Sequence, residues 1–229
     1  MSDLSAPISV VPLPPATLAL LLAMVRKLAH DMNNAVLATT SLLEMAAMDH
    51  PEAEPWLTPL QPYAEKPKHL LSPALRALPT RAAVRPRRLE AWPELVSAEA
   101  TAVDVRLELP PELAGPAALA EDEWLQCLDN LVVNALQAHA LARRLGRRGP
   151  GPAWVAVQRL GPGHWQVADN GPGCADLQAA ARGTPRQGDG HLGLGLAVVA
   201  SHLQRLGGTL LLSQREAGGL IAELHWTTT

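Results

Sequence analysis

One apolar seam runs from residue 18 to residue 46. Leu18, Leu22, Val25, Ala29, Met32, Val36, Thr39, Leu43 and Ala46 follow one another in alternating steps of four and three. A strand cannot present that spacing on one face, because its side chains repeat every two residues; a helix can. The seam predicts one helix over residues 16–48, ended by Asp49, His50 and Pro51. A heptad seam of this length buries itself against another helix. Residues 52–80 offer Leu57, Leu60, Leu70, Leu71, Leu75 and Leu78 for that return. Pro55, Pro59, Pro62, Pro67 and Pro73 lie in the same stretch, and an interior proline costs a helix about 3 kcal/mol. The return helix is therefore expected to be kinked or broken. Residues 1–15 carry Pro7, Pro12, Pro14 and Pro15 without a helical period and read as a flexible arm.

Composition narrows what can surround this hairpin. The 229 residues include no Phe, and aromatics reach only 3% against 48% hydrophobic residues, so a core must be made of Leu, Val, Ala and six Trp. A net charge of −3 gives no electrostatic footprint for nucleic acid. The apolar run at residues 16–25 is half of the ~20 residues a membrane span needs, and no basic segment precedes it, so neither membrane insertion nor a signal peptide is expected. Cys127 and Cys174 form no metal-spaced pair and no disulfide framework. The expectation is a reduced, cytoplasmic protein. His50, His69, His139, His164, His202 and His225 show no His-x-x-x-His spacing and no nearby Cys pair, so no metal site is expected among them.

After a basic linker at residues 81–88 the pattern becomes mixed. Helices are predicted over 89–102, 121–144 and 191–206. Strands are predicted over 103–109, 154–160, 164–169, 208–214 and 220–227, with hairpin turns at Gly161-Pro162-Gly163 and Ala217-Gly218-Gly219. Antiparallel strands covered by helices on one face make a two-layer α/β sandwich, so the fold class is α+β. The expected domains are the arm at 1–15, the helical hairpin at 16–80 and the sandwich at 86–229.

Three short motifs fall in the sandwich. Asn130 and Asn134 share one helix face; paired carboxamides suit phosphate oxygens and a hydrated Mg²⁺, although for a bare Asn-x-x-x-Asn a solvated face is the commoner outcome. Asp169-Asn170-Gly171-Pro172-Gly173 follows a strand. It sets an acceptor-only carboxylate, suited to an exocyclic amine, beside a backbone that a flat ligand can approach closely; the same residues also make an ordinary turn. Gly190, Gly193 and Gly195 lie in Gly-His-Leu-Gly-Leu-Gly-Leu at a helix start, where free backbone N–H groups favour phosphate. Each motif alone is weak.

Their order is specific. Asn-x-x-x-Asn, then Asp-x-Gly-x-Gly, then Gly-x-Gly-Leu over residues 130–196 resembles the ATP-binding domain of histidine kinases and of the gyrase, heat-shock chaperone and mismatch-repair ATPases. The resemblance covers residues 86–229 and includes an N box (Asn130 to Ala135) and two glycine boxes (Asp169 to Gly173, Gly193 to Leu196). It implies ATP as substrate, adenine against Asp169, Mg²⁺ on Asn134 with Asn130 nearby, and phosphates cradled by Gly190, Gly193 and Gly195, with Gly171 and Gly173 in the first glycine box. Thr184-Pro185-Arg186 is similar to a Thr-x-Lys element of some relatives, which implies Arg186 at the γ-phosphate. The stretch 174–189 is a short lid without an aromatic residue.

The seam helix separates the relatives. Leu28-Ala29-His30-Asp31-Met32-Asn33-Asn34 resembles the His-Asp-x-Asn-Asn phosphoacceptor box of two-component sensor histidine kinases. His30 lies one residue past seam position Ala29, so its imidazole is expected to face solvent, with Asn34 one turn on. The resemblance implies autophosphorylation of His30, Asp31 orienting the imidazole or taking its proton, transfer to an Asp of a response regulator receiver domain, and Asn34 orienting water for a phosphatase reaction. It also implies a homodimer through residues 16–80. No sensor domain fits in residues 1–15, so the input signal is expected from a separate sensor protein, from regulated expression or from a further domain. Two alternatives stay open. One is a histidine phosphotransfer protein whose kinase domain no longer binds nucleotide, favoured by the short lid. The other is a serine-kinase or anti-sigma type switch on the same fold, disfavoured by His30–Asn34.

Overall fold

The computed structural model describes residues 6–60, 62, 89–147, 151–182 and 194–227. They form two compact units. One is built on residues 14–60, the other on residues 6–13, 89–147, 151–182 and 194–227.

The first unit is dominated by helix α1 (Pro15–Asp49), 35 residues long. Pro15 opens it at a position where its missing N–H is not needed. The helix closes where the N–H of His50 donates to the Ala46 carbonyl at 2.9 Å, ahead of Pro51. Val25, Ala29 and Val36 of the seam are buried, and Leu18, Leu22, Met32, Leu43 and Ala46 are half-buried. Thr39 departs from the pattern: it is exposed, and Thr40 is half-covered in its place. The prolines break the return. Residues 51–60 form a 3₁₀ turn (Pro51–Ala53), the short helix α2 (Glu54–Leu57) and a second 3₁₀ turn (Thr58–Leu60). Residues 61 and 63–80, where the rest of the return helix is expected, and the basic linker at 81–88 lie outside the described residues. No helix among the described residues is long and apolar enough to cross a membrane.

The second unit runs β1 (Ile8–Ser9), α3 (Trp92–Ala102), β2 (Arg106–Glu108), α4 (Glu121–Arg144), β3 (Trp154–Gly161), β4 (His164–Asp169), α5 (Leu177–Ala181), α6 (Leu194–Arg205), β5 (Thr209–Gln214) and β6 (Leu220–His225). Its six-stranded sheet has the order β1-β5-β6-β4-β3-β2. Every pairing is antiparallel except β2 with β3. The class is α+β, as the pattern predicts. Alternation assigns Val155, Val157, Trp165, Val167, Leu210, Leu212, Ala222 and Leu224 to one sheet face, and they share a single core with α3, α4 and α6.

Tryptophan does the work that Phe does elsewhere. Trp124 on α4 is 1% exposed. It meets Trp165 and Trp226 edge-on, with ring centroids at 5.1 and 5.7 Å, a favoured aromatic geometry. Its indole N–H donates to the Leu113 carbonyl at 2.7 Å, so the buried polar atom is satisfied. The start of α4 is tied to the end of α6 by a two-pronged ion pair, Arg205 Nη1 and Nη2 to Glu123 Oε1 and Oε2 at 2.8 and 2.6 Å. The Arg205 guanidinium holds the Glu123 carboxyl below the usual range.

One expectation is corrected here. Residues 1–15 read as a flexible arm, yet Ile8 and Ser9 pair with Leu212 and Leu211. The Val10 N–H donates to the Leu210 carbonyl at 2.9 Å, and the Val10 side chain is 3% exposed. The physical reason is the free edge of β5, whose backbone groups need partners. If Asp replaces Val10, β1 should detach rather than bury a carboxylate. The loss is then capped near the burial of one valine plus its ladder bonds, about 2–4 kcal/mol. Urea unfolding should report that loss; an unchanged midpoint would show that β1 contributes nothing.

Candidate functional site

Helix α4 sets out the site. Asn130 is buried, and its Nδ2 donates to the Gln126 carbonyl one turn back at 2.9 Å. That bond fixes the rotamer and turns Oδ1 toward the first turn of α6. A Cβ placed on Gly195 would stand 2.9 Å from Asn130 Oδ1 and 3.5 Å from Asn134 Nδ2. The N box and the start of α6 therefore meet directly, and glycine at 195 is required by that approach. Asn134, one turn past Asn130, is half-exposed.

The end of β4 supplies the second element. Asp169 is 6% exposed. Its Oδ1 accepts the Gly171 N–H at 2.7 Å and its Oδ2 accepts the Leu220 N–H at 3.3 Å. Burial still pushes its pKa up, with the two N–H donors, His139 and Arg215 opposing. A Cβ on Gly171 would lie 2.9 Å from Asp169 Oδ1 and 3.5 Å from the His139 ring. Gly173 has φ +71°, a left-handed conformation that suits glycine, and a Cβ there would stand 3.0 Å from Gln214 Nε2.

Several residues in this region escape a reading of the sequence. Gly219, read only as part of a turn, has φ +99°, and a Cβ there would collide with the Asp169 carbonyl. It lets the β5–β6 turn sit directly on the first glycine box. Asn170 is a structural clamp: its Oδ1 accepts the Trp154 N–H and its Nδ2 donates to the Pro152 carbonyl, both at 2.8 Å. His139 lies five residues past Asn134 on α4; it is buried, and its Nε2 has no hydrogen-bond partner among the described residues. The only signal for it in the sequence is a polar residue within the apolar length of α4. A cleft of about 520 Å³ beside it is lined by His139, Arg143, Arg147, Gly171 and Pro172. That lining does not include Asp169, Asn130, Asn134 or Gly195, so the cleft adjoins the convergent residues without being their centre. Cys127 is no nucleophile, because burial pushes its thiol up to about 12.

Arg186, Gly190 and Gly193 lie outside the described residues. Asn130, Asn134, Asp169, Gly171, Gly173 and Gly195 are all described: Gly195 stands against Asn130 and Asn134 of α4, and Gly171 stands against Asp169 and against His139 of the same helix. The donor set suits a purine nucleotide and Mg²⁺. It combines a buried acceptor-only carboxylate, glycine backbones with no room for a Cβ, and carboxamides that offer hard oxygens.

On α1, His30 stands beside buried Ala29 with its side chain 73% exposed. Its Nδ1 lies 3.4 Å from Asp31 Oδ1 and 3.3 Å from Asn34 Nδ2. One ring nitrogen cannot serve both at once. Protonated, Nδ1 donates to Asp31 and leaves the lone pair on Nε2; unprotonated, it accepts from Asn34 and the proton sits on Nε2. Asp31 is held below the usual carboxylate range, first by Lys27 and then by His30. Lys27 Nζ lies 3.0 Å from its Oδ2.

Residues 120–228 match the family model described as "Histidine kinase-, DNA gyrase B-, and HSP90-like ATPase". Over these residues the chain is similar to the ATPase domains of that family. The solved structure of full-length ShkA in complex with AMPPNP is similar at TM-score 0.50 and 21% identity, over 95% of this chain and 47% of that one. The chain thus spans about half the length of ShkA, and the likeness shows a shared fold. Two further structures match with lower scores. The mycobacterial sensor histidine kinase MprB gives 0.39 at 21% identity, over 59% of this chain and 93% of that one. The cytoplasmic segment of the histidine kinase QseC gives 0.33 at 19%, over 66% and 80%. No curated protein matches the chain. The family implied by the three boxes is the family that matches, and the boxes lie inside the matched segment.

The buried carboxylate at the end of β4 has a measurable signature. The folded-state pKa of Asp169 lies above its unfolded value. Its contribution to stability is therefore fully present below about pH 4 and is lost as pH rises through the folded pKa. In urea unfolding, the stability difference between Asp169→Asn and the wild type should move in the variant's favour as pH rises from about 4 toward 7. A difference independent of pH would contradict the raised pKa.

Proposed function

We propose that the protein is an ATP-dependent histidine kinase of a two-component system. It phosphorylates its own His30 and passes the phosphoryl group to an Asp of a response regulator receiver domain. The observation that carries this reading is the pairing, in one chain, of an ATPase domain with an exposed His30 whose Nδ1 faces Asp31 and Asn34.

The chemistry follows from the residues. ATP supplies the γ-phosphoryl group. Asp169 would hold the adenine amine, and Gly171, Gly173 and Gly195 would let the nucleotide approach the backbone. Gly190, Gly193 and Arg186 are assigned to the phosphates by their place in the motifs. Asn134, with Asn130 beside it, would hold Mg²⁺, whose charge neutralises phosphate oxygens. In phosphoryl transfer the protein's part is positioning and charge neutralisation. Asp31, kept ionised by Lys27, holds the Nδ1 proton, and the Nε2 lone pair becomes the nucleophile. As the N–P bond forms, the bond between the γ-phosphorus and the β,γ-bridging oxygen breaks and ADP leaves; the positive charge developing on the ring is stabilised by the same carboxylate until the Nδ1 proton passes to it or to water. Asn34 favours the other tautomer and would orient water for dephosphorylation of the receiver domain.

A homodimer through α1 fits a second strip on that helix. Leu20, Met24, Leu28, Leu42 and Met45 are each more than half exposed. They lie on the same helix as the buried seam and outside it. The input signal would come from a separate sensor protein, from regulated expression or from a further domain.

Incubation with Mg²⁺ and γ-labelled ATP should give acid-labile label on His30. His30→Ala should abolish labelling, and Asn34→Ala should retain it. Acid-stable label would support serine transfer instead, and a chain that binds no nucleotide would support the phosphotransfer alternative. Persistent labelling of His30→Ala would overturn the assignment.

A further inference from the structure

The pairing of β4 with β6 brings together two histidines that lie 61 residues apart in sequence. His164, at the start of β4, is directly opposite His225, at the end of β6. Their rings stack with centroids 4.1 Å apart. Glu223 lies two residues before His225, on the same sheet face by alternation. Its Oε1 is 3.4 Å from His164 Nε2, and its Oε2 is 3.9 Å from His225 Nε2. The three ligand atoms all lie within 4.8 Å of one another, and theirs is the only such group among the described residues.

This cluster is separate from the ATPase site. Trp165, Val167 and Asp169 occupy one face of β4 and His164 the other, by alternation. His164 and Asp169 are also five residues apart on the strand, about 17 Å at the usual rise.

We propose that His164, Glu223 and His225 form a binding site for a first-row divalent cation of the Zn²⁺ type. Three observations carry this. The ligand set, two imidazoles and a carboxylate, is the one such ions take with a fourth position left to water. The spacing nearly fits already. Tetrahedral Zn²⁺ with bonds of about 2.0–2.2 Å sets neighbouring ligand atoms about 3.4 Å apart; Glu223 comes to 3.4 Å of His164 through one oxygen and to 3.9 Å of His225 through the other, and the two imidazoles offer nitrogens within 4.8 Å of each other, so a small ring rotation closes the set. Finally, the Nε2 of His225 is buried with no hydrogen-bond partner among the described residues. A buried nitrogen left unpaired is costly. The ion pairs of Glu223 run only to these two histidines, with no Arg or Lys among the described residues. A single cation would satisfy all three groups and join β4 to β6 through side chains as well as backbone.

The probe is ZnCl₂ added to the full, nucleotide-free chain in competition with a chromophoric chelator. Co²⁺ is the second probe, read by its visible ligand-field bands. The wild type should bind one Zn²⁺ at this site and give a tetrahedral Co²⁺ spectrum. Loss of an outer partner of a metal ligand already costs about 10–100-fold in affinity, so His164→Gln and His225→Gln should each weaken binding by at least about tenfold. The double variant should lose the stoichiometric site. Glu223→Gln keeps the shape of the side chain and should weaken binding likewise, with circular dichroism confirming the fold. His50→Gln is the control and should bind as the wild type does. Wild-type-like binding by the folded double variant would overturn the proposal, and so would a wild type that takes up no stoichiometric Zn²⁺.

Discussion

Helix α4 is buried along most of its length, and the rest of the mixed-sheet unit takes its geometry from that burial. Its apolar positions, Leu125, Leu128, Leu131, Val132, Ala135 and Leu136, are fixed against the sheet. The polar residues between them, Asn130, Asn134 and His139, therefore have no freedom in where they point. Asn130 reaches the first turn of α6, and His139 reaches the first glycine box. The Glu123–Arg205 pair locks the far end of α6 to the start of α4. A rotation of α4 by one residue would turn Asn130 and Asn134 away from the first turn of α6. The site and the core are thus one constraint, seen from two sides.

The same logic explains where the domain carries unfavourable terms. Asp169 is held in a buried position that disfavours its charge, partly offset by two backbone donors. Gly173 and Gly219 accept left-handed backbone conformations in the turns around it. The buried carboxylate costs the fold stability, while the two glycines let the chain pack closely around it. On α1 the arrangement is the reverse. His30, Asp31 and Asn34 sit on the exposed surface of a helix whose buried stripe lies elsewhere, so the competition of Asp31 and Asn34 for one ring nitrogen can be decided by a proton without disturbing packing.

Much of this was legible in the sequence because the signals are local. The four-and-three seam marks α1, the acidic start and basic end of the segment 121–144 mark α4, and the glycine turns mark the two hairpins. The three boxes were legible for the same reason, since each is a short motif tied to one element boundary. What was not legible depends on partners distant in sequence. Two residues of strand at Ile8–Ser9 carry no periodicity, and only the free edge of β5 makes them a strand. Gly219 looks like any turn glycine until the Asp169 carbonyl lies against it. The six histidines look unrelated along the chain, because spacing within a helix cannot reveal that strand register sets His164 against His225.

The central proposal is that the Asn face of α4, the end of β4 and the start of α6 together form a nucleotide site. Titration of Mg-ATP into isotope-labelled protein, followed by NMR, tests it most directly. The largest shift changes should fall on the backbone amides of Gly171 and Gly195 and on the side-chain amide of Asn134. Changes that leave those three signals in place while affecting other surfaces, or no saturable change at millimolar ATP, would contradict it.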